Sequence, residues 1–114
     1  MITPDLFGSI RRAAQAAKEQ LTRDLSLELA PHGIRVVGLR PHGLPETDTM
    51  RQVFEAKPRG LDWEEFQTFL ANSSHPRRTQ TLAEVASAAA FLASDHARGL
   101  TGTTVNLTMG GVAD

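Results

Sequence analysis

The sequence predicts an α/β fold of about two strands and four helices, and three observations carry the prediction. Apolar residues recur at spacings of three and four from Ile10 to Leu25, the period of a half-buried helix. Two short runs, Ile34 to Leu39 and Thr104 to Leu107, are β-branched and bounded by glycine turns, as strands are. Between them lie two capping signatures, Asp62 with Glu65 and Thr81 with Glu84, each opening a helix. Strands joined through helices are parallel if they are neighbours, and the crossover is right-handed.

In chain order, Pro4 to Gly8 reads as a loop. The first helix then carries Ile10, Ala14, Ala17, Leu21 and Leu25 on one face. Pro31-His32-Gly33 stops it, with Gly33 supplying a left-handed turn. The Ile34–Leu39 strand follows and is ended by Pro41-His42-Gly43-Leu44-Pro45, a run that breaks all regular structure. Thr47 or Asp48 caps a helix running through Phe54 and Glu55, and Pro58-Arg59-Gly60 turns the chain. A short helix follows with Trp63, Phe66, Phe69 and Leu70. Leu82, Val85, Ala86, Ala89 and Leu92 form the core stripe of the next helix, which ends before Gly99, and the last strand precedes Met109-Gly110-Gly111. The chain divides into residues 1–33 (first helix), 34–47 (strand and loop), 48–75 (lid-like helices) and 81–111 (helix and last strand), all within one partial domain.

Twelve Lys and Arg against 13 Asp and Glu leave a net charge of −1, with both signs interspersed. That argues against an electrostatic footprint for nucleic acid or an acidic membrane surface. No cysteine, no membrane-length apolar run and no leader-like start lead to the expectation of a soluble, cytoplasmic protein. The four histidines, His32, His42, His75 and His96, lack ligand spacing, so no metal site is expected. Asp95-His96 lacks the Gly-x-Ser-x-Gly elbow of a hydrolytic triad.

The stretch Ala13–Pro41, AAQAAKEQLTRDLSLELAPHGIRVVGLRP, read together with the tail TGTTVNLTMGG, resembles the C-terminal half of the short-chain dehydrogenase/reductase family. The resemblance implies a partial Rossmann-like fold, the C-terminal half of a doubly wound parallel sheet. A complete dinucleotide-binding fold needs about twice the present 114 residues.

The family transfers a proton through a Tyr-x-x-x-Lys pair on the equivalent of the first helix, the lysine lowering the phenol's pKa and holding the nicotinamide ribose. Matching Ala16-Ala17 and Leu21-Thr22-Arg23 to the family pattern places Arg11 at the tyrosine position and Gln15 at the lysine position. Arginine stays protonated and cannot act as a base, and glutamine has no charge to offer. The chain contains no tyrosine, Lys18 falls out of register, and Ser9 is too close to serve as the family's serine. Gly8, Gly33, Gly38, Gly43 and Gly60 form no phosphate-binding pattern. The expected catalytic set is therefore empty.

The resemblance further implies that the loop after the first strand meets the cofactor, its backbone at the nicotinamide carboxamide and its threonine at the phosphates. Here that loop offers Pro41, Gly43, Leu44, Thr47 and Thr49, with His42 in place of the usual glycine and with Glu46 and Asp48 where a phosphate would come. The alternative is a plain turn that caps the next helix. Residues 50–75 correspond to the family's substrate lid, in which Phe54, Trp63, Phe66 and Phe69 either line a pocket or pack together, and their helical spacing favours packing.

An isolated parallel pair does not cover its own edges and faces. A homo-oligomer or a complementing N-terminal half is therefore expected to cover the first strand's free edge and the apolar helix face. No cofactor is expected on the chain alone, while the family implies NAD or NADP. Two functional classes stand open: a noncatalytic oligomeric remnant or assembly module, and a fragment or split subunit of a true NAD(P)-dependent oxidoreductase. A third class, a nucleic-acid binder using Arg11, Arg12, Arg23 and Arg35, has weaker support.

Overall fold

The computed structural model describes residues 6–56 and 60–113, with side chains from Ile10 onward. Helix α1 (Leu6–Leu29) begins inside the segment expected to be a loop, of which Pro4 and Asp5 lie outside the described residues. Nothing in Leu6-Phe7-Gly8 opposes helix strongly enough to delay its start, since one glycine costs only about 1 kcal/mol. A 3-10 turn (Ala30–His32) tightens the end, and Gly33, at φ 72°, donates its N–H to Ala30 O. Pro31 lacks an N–H, so the helical ladder cannot continue through it.

Strand β1 (Val37–Pro41) starts three residues later than the sequence expectation. Residues 34–36 instead bind the loop ahead of the second strand: Val36 N–H donates to Thr101 Oγ1 at 3.1 Å and Val36 O accepts from Gly102 N at 2.8 Å. Strand β2 (Thr103–Leu107) pairs with β1 in parallel, from Val37 opposite Thr103 to Pro41 opposite Leu107. Gly38 is needed there, because a Cβ would lie 2.8 Å from Thr104 Oγ1.

Helix α1 runs antiparallel to the strands. Ser26, buried, meets Thr101 at their N-terminal end (Oγ to Oγ1, 2.6 Å), and Glu19 pairs with Arg40 at their C-terminal end. Helices α2 (Asp48–Ala56) and α3 (Trp63–Asn72) come after β1. Pro58 and Arg59 of the expected turn lie outside the described residues, and Gly60 has φ 71°. Helix α4 (Leu82–Ala93) packs on the side of β1 that carries Val37 and Leu39, away from α1. Both arms of the capping box are made at Asp62/Glu65 and at Thr81/Glu84. Arg35 joins the end of α4 to the segment ahead of β2, donating from its guanidinium to Leu92 O (3.0 Å), Ser94 O (3.2 Å) and Leu100 O (3.1 Å). Those carbonyls belong to the last turn of α4 and the chain beyond it, where helix geometry leaves acceptors unpaired.

Little is buried. Among the described residues the fully buried apolar side chains are Phe66 and Ala97. The apolar face of α1 is open: Ile10 is 68 % exposed and Leu21 55 %. Of the stripe expected as core on α4, Leu82, Ala86 and Ala89 are exposed and Val85 and Leu92 half-buried. The radius of gyration is 16.3 Å, against roughly 13 Å for a compact domain of this length. Apolar periodicity reports that a face wants to be covered, and this chain does not supply the cover.

Candidate functional site

The loop leaving β1 is the centre of the polar structure at the strands' C-terminal end. Gln80, 2 % exposed, accepts the His42 N–H on Oε1 at 2.9 Å and donates from Nε2 to Leu107 O at 2.9 Å. One side chain thus fixes the loop to the last residue of β2. The His42 ring reaches Ser73, at the C-cap of α3, with 2.8 Å between Nε2 and Oγ. A Cβ on Gly43 would lie 2.9 Å from Met50 Cε and 3.2 Å from Leu70 Cδ2, so α2 and α3 close over that glycine.

Thr47 is committed locally. Its hydroxyl donates to Leu44 O at 2.7 Å and accepts from Met50 N at 3.2 Å, which caps α2. Between the two expected caps, the hydrogen bonds select Thr47. Glu46 accepts from Leu82 N at 3.3 Å, placing a carboxylate at the N-terminus of α4. Thr49 and Pro41 are exposed, and Leu44 is half-buried. The five residues expected to contact a cofactor therefore share one loop and its helix start. One groove of about 480 Å³ runs along α3, bordered by Asp62, Glu65 and Phe69, and one of about 540 Å³ lies between β1 and α4.

On α1, Glu19 marks the level of the strand ends through its pairing with Arg40. Gln15 and Arg11 lie one and two turns further out on the same stripe, about 6 and 12 Å beyond it. Both are exposed, as is Lys18. The stripe therefore points past the C-terminal ends of the strands, where open α/β sheets hold ligands, but it carries no group able to exchange a proton near neutral pH.

The lid aromatics pack on one another. Phe54 lies 5.3 Å from Trp63 and 5.2 Å from Phe66, ring centre to ring centre, and Arg51 covers the Trp63 ring at 4.0 Å. The Glu84 carboxyl is held down to about 2, chiefly by hydrogen bonds from Arg78, whose guanidinium makes two contacts of 2.7 Å with it and is itself raised. Both side chains face solvent, so the pair belongs to the α4 cap. No cluster of His, Cys, Asp or Glu among the described residues forms a metal site, and no helix is long and apolar enough to cross a membrane. Sequence reasoning passed over Gln80, Ser73 and the Glu19–Arg40 pair, since nothing in the periodicity marks a buried amide or a contact between distant elements.

Comparisons with known proteins place this geometry. A family model described as enoyl-(acyl carrier protein) reductase matches residues 8–111. (+)-Borneol dehydrogenase 2 of Salvia officinalis is 34 % identical over 92 residues, 80 % of this chain and 32 % of its own length. Sorbitol-6-phosphate 2-dehydrogenase of Erwinia amylovora superposes with a TM-score of 0.79 at 29 % identity, covering 90 % of this chain and 41 % of that one. The NADPH-bound structure of a short-chain oxidoreductase from Pseudomonas aeruginosa PAO1, containing an atypical catalytic centre, superposes with a TM-score of 0.66 at 34 % identity, covering 86 % of this chain and 37 % of that one. The chain thus spans about a third of the length of the curated relatives it matches.

Proposed function

The chain belongs to the short-chain dehydrogenase/reductase family, and from that premise we propose that it is a noncatalytic C-terminal unit of the fold, acting as an oligomeric remnant or assembly module in the cytoplasm. The observation that carries this reading is the stripe on α1: Arg11 and Gln15 stand where the family places its proton donor and the lysine that tunes it. Neither performs proton exchange at neutral pH. The uncovered apolar faces supply the second part of the reading. Exposed Ile10 and Leu21 on α1, Phe91 on α4 and the free edge of β1 are surfaces for a second copy of the chain or a complementing N-terminal half.

The NAD or NADP that the family implies does not fit the side chains of the loop as they are arranged. The Thr47 hydroxyl hydrogen is already given to Leu44 O, so it has none for a phosphate, and Glu46 and Asp48 bring negative charge beside it. A role in nucleic-acid binding is disfavoured for the same kind of reason, since the Arg35 guanidinium is committed to carbonyls.

The second reading, a fragment or split subunit of a working oxidoreductase, is favoured by one finding: the NADPH-bound Pseudomonas relative has an atypical catalytic centre. Under it, Pro41, Gly43 and Leu44 would hold the nicotinamide through backbone groups, and Thr47 and Thr49 would meet phosphates after the loop rearranges against the other half.

Titration with NADH and NADPH, followed by nicotinamide fluorescence with light scattering on the same sample, separates the two. The expected result is an oligomer with no saturable binding, converted towards monomer by Leu21→Asp. Saturation at micromolar cofactor overturns the noncatalytic reading, and a monodisperse monomer overturns the assembly.

A further inference from the structure

We propose that His42 is a positioning residue that fastens the α2–α3 pair to the strand ends, giving its ring proton to Ser73 while its backbone is anchored by Gln80. The role is independent of whether the chain binds a nicotinamide cofactor. Ser73 has one hydroxyl hydrogen, and it is donated to Leu70 O at 2.7 Å. The serine oxygen is left to accept, so the 2.8 Å contact with His42 requires the proton to sit on Nε2. In the neutral ring the lone pair then falls on Nδ1, and that atom is buried with no hydrogen-bond partner. One nitrogen is used and the other is enclosed.

The rest of the surroundings close on the same ring. A Cβ on Gly111 would lie 3.0 Å from His42 Cδ2, so the terminal turn presses on the imidazole because residue 111 is glycine. Gln80 ties the His42 N–H to Leu107 O at the end of β2. His75, just beyond α3, donates its N–H to Met109 O at 2.8 Å and completes the circuit from the other side. The loop after β1, the cap of α3 and the turn after β2 therefore meet at one imidazole. The family's usual glycine at this position has no side chain with which to make such a joint. In this chain α3 is fastened to the β1 loop by the protein's own side chains.

The test is a ring-directed proton–nitrogen NMR spectrum of the full chain at neutral pH, with amide hydrogen exchange on the same samples. The expected spectrum shows one slowly exchanging imidazole Hε2, with Nε2 protonated and Nδ1 bare, lost in Ser73→Ala and retained in Ser73→Thr. The His75 and Ser74 amides exchange about tenfold faster in Ser73→Ala, while those of Val105 and Leu107 do not change. The wild-type signal needs no variant: its absence, or a proton on Nδ1, overturns the fastening. So does persistence of the signal or unchanged exchange in Ser73→Ala. NADH and NADPH titration is read separately, so cofactor binding bears on the functional reading and leaves these outcomes intact.

Discussion

Replacing Gln80 by leucine removes the amide that joins the β1 loop to β2 while nearly preserving its volume. In the wild type the amide satisfies two backbone groups, the His42 N–H and the Leu107 carbonyl, each at 2.9 Å and in a setting where Gln80 is 2 % exposed. Leaving one buried backbone group unpaired costs about 1–3 kcal/mol, so the two together cost about 2–6 kcal/mol. Burying leucine in place of an amide returns about 1–2 kcal/mol, which leaves a net loss of about 2 kcal/mol. Against about 5–15 kcal/mol for an ordinary domain, that loss is large. Gln80→Glu separates the two partners: one carboxylate oxygen still accepts from His42, but the other faces the Leu107 carbonyl. Burial and that carbonyl raise the folded-state pKa above the unfolded value of about 4.3, so the variant's stability is full below that pH and falls as pH rises through the raised value. Urea denaturation at fixed protein concentration, read by Trp63 fluorescence from pH 4 to 8, measures both effects. A Gln80→Leu change under about 0.5 kcal/mol, or a Gln80→Glu profile parallel to wild type, refutes the clamp.

The same geometry carries three further outcomes. Arg35→Met removes the guanidinium bonds to Leu92 O, Leu100 O and Ser94 O, of which Ser94 O keeps the Ala97 N–H, and lowers stability by about 2 kcal/mol, with Arg35→Lys recovering part of it, in the same denaturation assay. Gly110→Ala forces a Cβ to 2.4 Å from the His75 ring at φ 82° and costs well over the roughly 1 kcal/mol of Gly33→Ala, where φ is 72° and the space is open; thermal unfolding ranks the pair. The Glu84 carboxyl, depressed to about 2, supports the α4 cap fully above the unfolded carboxylate pKa and loses that support as pH falls towards 2. Helicity followed by circular dichroism between pH 5 and 2 shows this loss in wild type and its absence in Glu84→Gln.

The elements that close on themselves were legible from the residues. Asp62 with Glu65 and Thr81 with Glu84 are local chemistry, and both boxes are formed. Gly33 carries the positive φ that its place after Pro31-His32 implies. The β-branched run at Ile34 misjudged where the strand begins, because Val36 prefers bonds to Thr101 and Gly102, partners 65 or more residues away that no local pattern reveals. The stripe on α1 was read as an apolar face needing cover from outside the chain, and it is open; the stripe on α4 was read as core and is largely exposed, since periodicity carries no information about which surface lies opposite. The candidate site divides in the same way. Thr47 as a cap lies within one turn of sequence, whereas the meeting of His42, Ser73 and Gln80 depends on three separate elements arriving together.

The disproportion between α1 and the sheet has a consequence for how the protein resists proteases. A 24-residue helix spans about 36 Å, yet the strands it lies on have five residues each, about 17 Å. The segment after Glu19 rests on the sheet, and residues 10–18 before it are exposed, with the peptide bonds after Arg11 and Lys18 in reach of a protease. Exposed helical turns open more readily than packed ones, so limited proteolysis of the purified chain is expected to begin in that segment. Under the association proposed above, the overhang ties protease resistance to protein concentration: cleavage after Arg11 and Lys18 is early in dilute samples and slower in concentrated ones.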